Sequence, residues 1–370
     1  MNITIPKDQI QSGLQIVQNA VAGRSNMPIL SNVLLNAEGD TLELTGTDLD
    51  MTVSCRVKAQ VTEPGKTTLP AKRLLSIVRE MPGPEIKIYA DEESRYKIES
   101  GPAKFKIYSL PASDFPQLRQ LKDDKKVTFT QEKLREMLRR TGFAAAQEEG
   151  RYLLTGTYIE MKDHKVTVVA TDGRRLALVE EEADIPENMN GSLIVPIRGV
   201  NELNRLLGQE GQVELTYTEN FAKFVLKSEK SPLVEITIKL IEGNYPNYKH
   251  VVPAESKYRI EIMREEFLAV LRRAELVTDE RNNSVKLTLA NNTLTVTTNT
   301  PEIGDFYETI AVRFNGEEFS IAFNPAYLIE PLSILTEDVI YFELTDHMSP
   351  GVMKINGPFL YVVMPMRLQD

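Results

Sequence analysis

The sequence predicts an α+β protein made of three copies of one domain, each with two helices packed on antiparallel sheet. Three observations lead there. Four features recur in the same order roughly every 125–130 residues, the kind of period that marks a repeat architecture. Within each repeat, many short runs alternate apolar and polar residues, as half-buried strands do. Two further segments per repeat space their apolar residues by three and four, as one buried helical face does. A chain of 370 residues has room for two to four domains at about 100–200 residues each.

Each repeat opens on a strand-like start that runs into an amphipathic helix. Ile5–Ile10 leads into Leu14, Val17 and Ala20, Phe129–Leu134 into Met137 and Leu138, and Ile262–Phe267 into Val270, Leu271 and Ala274. An alternating strand ending in a Thr-rich turn comes next, at Leu42–Asp48, Val166–Asp172 and Leu294–Asn299. The Gly, Asp and Asn endings supply the turn chemistry. A second short helix follows a proline: Pro70 before Lys72–Val78, Pro196 before Val200–Leu207, and Pro325 before Tyr327–Leu335, the last interrupted by Pro331. Proline suits a helix start because its missing N–H would lack an intrahelical partner anyway. A closing strand with a proline turn ends each repeat, at Phe105–Pro111, Ile236–Pro246 and Tyr361–Pro365. Polar or proline-bearing stretches near Lys122–Val127 and Val252–Lys257 set the expected domains at 1–122, 123–251 and 252–370. The repeat alone leaves two arrangements open: copies that bury faces against each other into an arc or ring, or three similar domains in a row.

Composition is that of an ordinary globular chain, 42% hydrophobic and 26% charged. No run approaches the roughly 18 apolar residues a membrane span needs. The start, Met1–Ile10, lacks a basic segment followed by an apolar one, and the single Cys55 has no disulfide partner in the chain, so a cytoplasmic location is expected. The formal net charge of −10 argues against nucleic acid when read as an average, since phosphates need Lys and Arg. Its distribution points the other way. The six expected helices sum to +5, which leaves −15 for the strand-rich remainder. Helices gathered on one face would attract DNA there and repel it elsewhere; alternatively, these are the basic residues that helix surfaces commonly carry. No zinc-ligand pattern, recognition helix or aromatic RNA motif is present, so contact would be with phosphates and without base specificity.

Catalytic chemistry is hard to assemble. His164, His250 and His347 are far apart and lack neighbours at metal-ligand spacing. Phosphate-loop, dinucleotide and nucleophile-elbow patterns are missing, and no cofactor is implied. Glu148-Glu149 and Glu265-Glu266 are adjacent pairs that diverge on a helix. Cys55 sits in a strand-like run, where a packed thiol is the default. One segment, Ala170-Thr171-Asp172-Gly173-Arg174-Arg175-Leu176, could cradle an anion and so serve a phosphate-ester hydrolase; as a basic turn beside apolar residues it could equally hold a peptide.

Several motifs together resemble one family over the whole chain. Gly23-Arg24 with Pro28-Ile29-Leu30, and Leu42–Leu49 (LELTGTDL), look like the first domain of the bacterial sliding clamps, the beta subunit of replicative DNA polymerase III. Arg151-Tyr152 with Val169–Ala177 (VATDGRRLA) looks like the second, and Tyr361–Leu368 (YVVMPMRL) like the C-terminus. The resemblance implies the DNA clamp fold: three domains per chain and two chains closing head to tail into a ring, with helices inside and sheet outside. It implies a processivity factor rather than an enzyme, with double-stranded DNA encircled. Its partners would be the replicative DNA polymerase, an ATP-driven clamp loader and other proteins bearing a clamp-binding motif.

Carried over residue by residue, the resemblance places a peptide-binding cleft at Leu154, Thr171, Gly173, Arg175 and Leu176. Pro246, Val251, Val362, Met364, Pro365 and Met366 would complete it. Arg174 and His250 belong to the same rim but stand where the family pattern places His and Arg. Met348 and Pro350 border it. Methionines adapt to varied apolar ligands, and an arginine at the rim would fix a peptide's polar groups. For DNA, the resemblance points to Arg24, Lys72, Arg79, Arg151, Tyr152 and Arg198; helix position adds Arg205. For the dimer contact it points to Ile77, Phe105 and Ile107 on one side and Arg272 and Leu276 on the other, with Glu275 where the family can carry an apolar residue.

Overall fold

The computed structural model describes residues 1–23, 26–92, 94–119, 121, 126–279 and 283–367. Arg24 therefore lies outside the described residues, as do Lys122–Lys125 of the first expected boundary and Leu368, Gln369 and Asp370. Among the described residues there are six α-helices: Lys7–Val17 (α1), Ala71–Glu80 (α2), Gln131–Thr141 (α3), Ile197–Leu206 (α4), Arg264–Glu275 (α5) and Pro325–Ile334 (α6). No helix there is long and apolar enough to cross a membrane.

All six helices begin in the same way. A strand ends and the helix starts on the next residue, as at Asn2–Pro6, Gly65–Pro70, Val127–Thr130, Gly191–Pro196 and Tyr258–Met263; before α6 only Asn324 intervenes after Phe319–Phe323. Pro70 and Pro196 are the last strand residues, directly before the helices that were expected to follow them. Pro70 has φ −58° and ψ 110°, extended backbone compatible with its ring, so it closes the strand and the helix starts beyond it. Pro325 does sit in the first turn, under an Asn324 cap whose side chain accepts from Ala326 N at 2.9 Å.

The repeat is visible at the level of single hydrogen bonds. The first helical residue of each odd helix takes its backbone partner from beyond the even one: Lys7 N donates to Pro84 O (2.8 Å), Gln131 N to Gly211 O (3.0 Å) and Arg264 N to Asp338 O (2.8 Å). The same residues' side chains reach back as well. Lys7 Nζ donates to Arg79 O and Met81 O, Gln131 accepts from Gly208 N, and Arg264 donates to Leu332 O and Glu337 O. Helix C-termini present unpaired carbonyls and a partial negative charge, so a donor, best a cation, is what that place selects.

The chain divides into two compact units, residues 1–135, 186–189 and 201–240, and residues 136–185, 190–200 and 241–370. The first holds a five-stranded sheet in the order Gln60–Glu63, Asn2–Pro6, Glu85–Glu92, Arg95–Ser100, Ala103–Tyr108. It also holds an eight-stranded sheet: Val127–Thr130, Gln212–Tyr217, Phe221–Lys227, Leu233–Lys239, then Met51–Lys58, Thr41–Thr47, Asn32–Glu38, Gly65–Pro70. The second unit has its own eight strands: Gly191–Pro196, Gly156–Lys162, Lys165–Thr171, Arg175–Glu182, then Phe359–Val363, Gly351–Lys354, Val339–Leu344, Tyr258–Met263. A four-stranded sheet, Gly304–Ala311, Thr293–Thr300, Val285–Ala290, Phe319–Phe323, completes it. Both eight-stranded sheets join four strands of one repeat to four of the next. The closing strand Leu233–Lys239 pairs antiparallel with Met51–Lys58, and Phe359–Val363 with Arg175–Glu182. The third closing strand, Ala103–Tyr108, pairs on one side alone, as does Gly304–Ala311 at the edge of the four-stranded sheet.

Each helix buries its apolar stripe on sheet. α2 buries Leu74, Leu75, Ile77 and Val78, and α5 buries Phe267, Leu268, Val270 and Leu271. Each such side chain contributes about 1.5–3 kcal/mol. Cys55 packs in the sheet interior, and burial pushes its thiol up to about 12, which makes it unreactive at neutral pH.

Candidate functional site

The Thr-rich turn of the second unit is held by its own side chains. Thr171 Oγ1 donates to Arg175 O (2.5 Å) and accepts from Gly173 N (3.0 Å), while Asp172 Oδ1 accepts from Arg174 N (2.8 Å) and Arg175 N (3.0 Å). The turn has φ +85° at Gly173, the left-handed backbone that favours glycine; a Cβ there would meet only the end of the Arg151 side chain, at 2.5 Å. Arg151 donates to Asp172 O. Arg174 O accepts from Met364 N at 2.9 Å, which ties the turn to the end of the closing strand. With Asp172 engaged by backbone amides and by Arg175, the turn lacks an available base, and nothing favours a hydrolase there.

Register then sorts the side chains. Leu176 lies opposite Val362 across the strand pair. Together with Val169 and Tyr248 they form one buried cluster, flanked by Tyr158, Leu178, Tyr245, Val252 and Leu360. Met364, 43% exposed, continues this apolar wall beyond the strand end. Thr171, Gly173, Arg174, Leu176, Val362 and Met364 are thus brought together. Pro246 stands between Tyr245 and Tyr248, and Tyr245 stacks on Tyr158 at 4.9 Å. His250 and the exposed Val251 belong to the short helical turn Tyr248–Val251, where Asn247 and His250 side chains bond at 3.2 Å. Leu154 is half-buried, its carbonyl taking Ala146 N at 2.8 Å. Met366 is anchored by its amide on Ala322 O (2.7 Å) next to the half-buried Pro365. Met348 is exposed, on a turn stapled by Asp346 that leads through Pro350 into Gly351–Lys354.

Arg175, expected as an arginine at the rim, is largely buried beneath the turn. Successive strand residues face opposite sides, and Arg175 points away from Leu176 into the protein, 7% exposed. Its guanidinium meets Asp172 Oδ2 (3.2 Å), Glu330 Oε2 (2.7 Å) and Phe143 O (3.1 Å), and lies 4.6 Å from the Tyr327 ring. It holds the sheet to the helical side, while Arg174 is exposed. The aromatic members Tyr158, Tyr245, Tyr248 and Tyr327 escaped the sequence reading; the doubled tyrosines around Pro246 were the available signal.

Of the residues expected to touch DNA, Lys72 and Arg79 are exposed on α2, and Arg73 beside them shares that exposure. No described carboxylate ion-pairs with these three. Arg151, Tyr152 and Arg198 are exposed in the second unit. Arg205 is already engaged: its guanidinium is bound by Glu202 and donates to Gln15 O (3.2 Å) and Ile16 O (2.6 Å), so it caps α1. Elsewhere on the helices Arg139 and Arg140 pair with Glu136, and Arg273 with Glu308. Part of the helical excess of positive charge is therefore structural. At the expected dimer contact, Ile77 and Ile107 are buried in their own unit, whereas Phe105 is 41% and Leu276 80% exposed. Arg272 donates to Ser333 Oγ at 3.2 Å. Tyr108, Ile303 and Tyr307, which the sequence reading did not single out, are exposed on or beside the same two open strand edges.

Comparison with known proteins covers the whole chain. Family models of the DNA polymerase III beta subunit match in order: the N-terminal domain at residues 1–119, the central domain at 128–247 and the C-terminal domain at 249–367. Beta sliding clamps from Chlamydia muridarum and Pseudomonas aeruginosa are 32% and 33% identical over the full length of both proteins. Among solved structures, the DNA polymerase III subunit beta of Pseudomonas aeruginosa superposes with a TM-score of 0.93 at 33% identity. The sliding clamp of Bacillus subtilis does so at 0.94 and 28%; each covers all of both chains.

Proposed function

This chain belongs to the DNA polymerase III beta subunit family, the beta sliding clamps, and from that premise we propose that it is a processivity factor: a homodimeric ring that encircles duplex DNA and tethers replication proteins. One observation carries the assembly. Each repeat's closing strand pairs with the strand after the Thr-rich turn of the repeat before it, twice within the chain. The remaining two such strands, Ala103–Tyr108 and Gly304–Ala311, are open, and each would find its partner in a second copy. A head-to-tail contact of this kind makes a closed ring when its rotation closes, and it covers the open edges of these two strands. Phe105 and Leu276 then become buried at the contact.

DNA is held by topology and by weak phosphate contacts from Lys72, Arg73, Arg79, Arg151 and Arg198, with Tyr152 beside them; weak contacts let the ring slide. The three domains are 1–122, 123–251 and 252–370. Partner peptides, from the polymerase, the loader and others, lie on the Leu176, Val362 and Met364 wall. The chain catalyses nothing, and ATP is used by the loader. Its place is the cytoplasm, with the chromosome. Sedimentation at micromolar concentration tests the ring, with an expected mass twice the 41.8 kDa chain and X-ray scattering that requires a central hole; a compact monomer would overturn it.

A further inference from the structure

Glu275 ends α5 as an exposed carboxylate, at a position where the family can carry an apolar residue. Among the described residues no cation pairs with it. Arg79, in the last turn of α2, is equally exposed and equally without a described carboxylate partner. The internal repeat shows what these two positions face. α2 and α4 each begin one residue after a strand-ending proline, so Arg79 and Arg205 both stand ninth in their helices, and Ser76 and Glu202 both stand sixth. α1 and α5 open on matching backbone bonds, Lys7 N to Pro84 O and Arg264 N to Asp338 O. Counted from those two residues, Arg272 and Arg273 correspond to Gln15 and Ile16, and Glu275 corresponds to Gln18.

Where the strand Leu233–Lys239 joins Met51–Lys58, the Arg205 guanidinium donates to the carbonyls of Gln15 and Ile16 at the end of α1. Its charge is balanced by Glu202, three residues earlier on its own helix. Gln18, just beyond the capped carbonyls, is neutral. At the two strands left open, Ala103–Tyr108 and Gly304–Ala311, the arginine is kept and the acid changes sides: Ser76 stands in place of Glu202, and Glu275 in place of Gln18.

We propose that Arg79 of one copy and Glu275 of the other form a polar latch at each junction of the ring, with the Arg79 guanidinium on the C-terminal carbonyls of α5 and Glu275 as its counterion. The inference rests on the ring reading above. A helix C-terminus offers unpaired carbonyls and a partial negative charge, so it binds a cation. The cations of α5 itself do not fill that place: Arg272 donates to Ser333 Oγ and Arg273 is paired with Glu308. Because the acid lies on the opposite copy, the pair exists only in the assembled ring, and it makes assembly salt-sensitive in a way that an apolar residue at 275 would not.

The test is sedimentation of the full-length chain labelled with a fluorophore, from nanomolar to micromolar concentration, without DNA, so that a phosphate contact of Arg79 does not enter. Two latches close one ring, and Glu275→Gln is expected to raise the dimer dissociation constant about tenfold, the scale of two exposed charge pairs at helix ends. Arg79→Gln should raise it at least as much. In the Arg79→Gln chain, adding Glu275→Gln should then change the constant little, because the two side chains act as one pair. A dissociation constant that is equal or lower in Glu275→Gln, or a further tenfold loss when Glu275→Gln is added to Arg79→Gln, overturns the latch and leaves the ring standing. A parent chain that stays monomeric at micromolar concentration overturns the ring reading and this inference together.

Discussion

Replacing Arg175 with alanine separates a buried clamp from a ligand-binding rim. The side chain is 7% exposed and joins the Asp172 carboxylate of the preceding turn, a carboxylate on α6 and the Phe143 carbonyl, over the Tyr327 ring. Breaking a buried charged network costs about 3–5 kcal/mol, because the partners left behind lose their compensation. Two features place this case at the low end. Glu330 is 41% exposed and rehydrates, and Asp172 keeps two backbone donors. The expected loss is about 3 kcal/mol, or a fall in melting temperature of roughly 6–12 °C for a unit of this size. Arg175→Met, which keeps most of the volume, should recover about 1 kcal/mol of that. Calorimetry on the full chain measures both, and peptide titration below the transition measures the cleft. A melting temperature within about 2 °C of the parent, together with lost peptide affinity, would refute the reasoning and return Arg175 to the rim.

Other perturbations follow from the same geometry. The turn at Thr47–Met51 repeats that at Thr171–Arg175 bond for bond, with Asp50 O accepting from Lys239 N at 2.8 Å. Yet Leu49, 52% exposed, takes φ +82° where the other turn has glycine. Leu49→Gly should therefore stabilise by about 0.5–1 kcal/mol, the relief of left-handed strain less glycine's entropy, whereas Gly173→Ala should destabilise; thermal melts decide the signs. Leu276→Ala or Phe105→Ala should raise the dimer dissociation constant by on the order of a hundredfold or more, since about 1.5 kcal/mol or more is lost at each of two contacts; sedimentation that still finds a tight dimer rules these residues out of the interface. Lys72→Ala should lower DNA affinity and flatten its salt dependence by about one counterion. Arg205→Ala should leave that slope unchanged while lowering the melting temperature, the signature of a helix cap.

Periodicity determined the elements of this protein, because the spacing of buried residues is a local property of a helix or strand. The strand Thr41–Thr47, the turn from Thr171 to Arg175 and all six helices were legible to within a few residues, and the threefold recurrence was enough for the fold class. The tertiary structure decided what each charge does. Arg174 and Arg175 are neighbours of identical chemistry. Alternation says that they face opposite ways, but only the placement of buried Tyr361, with Phe143 and Glu330, on one side decides which is the inward one. Arg205 reads as a surface cation because the carbonyls of Gln15 and Ile16 that it caps lie 190 and 189 residues away. The joining of one repeat's closing strand to the preceding repeat was equally out of reach, since backbone hydrogen bonds between strands carry no sequence signature of their partner. Local pattern specifies an element and its apolar face; which polar groups meet across the fold depends on distances that exist only once the chain is packed.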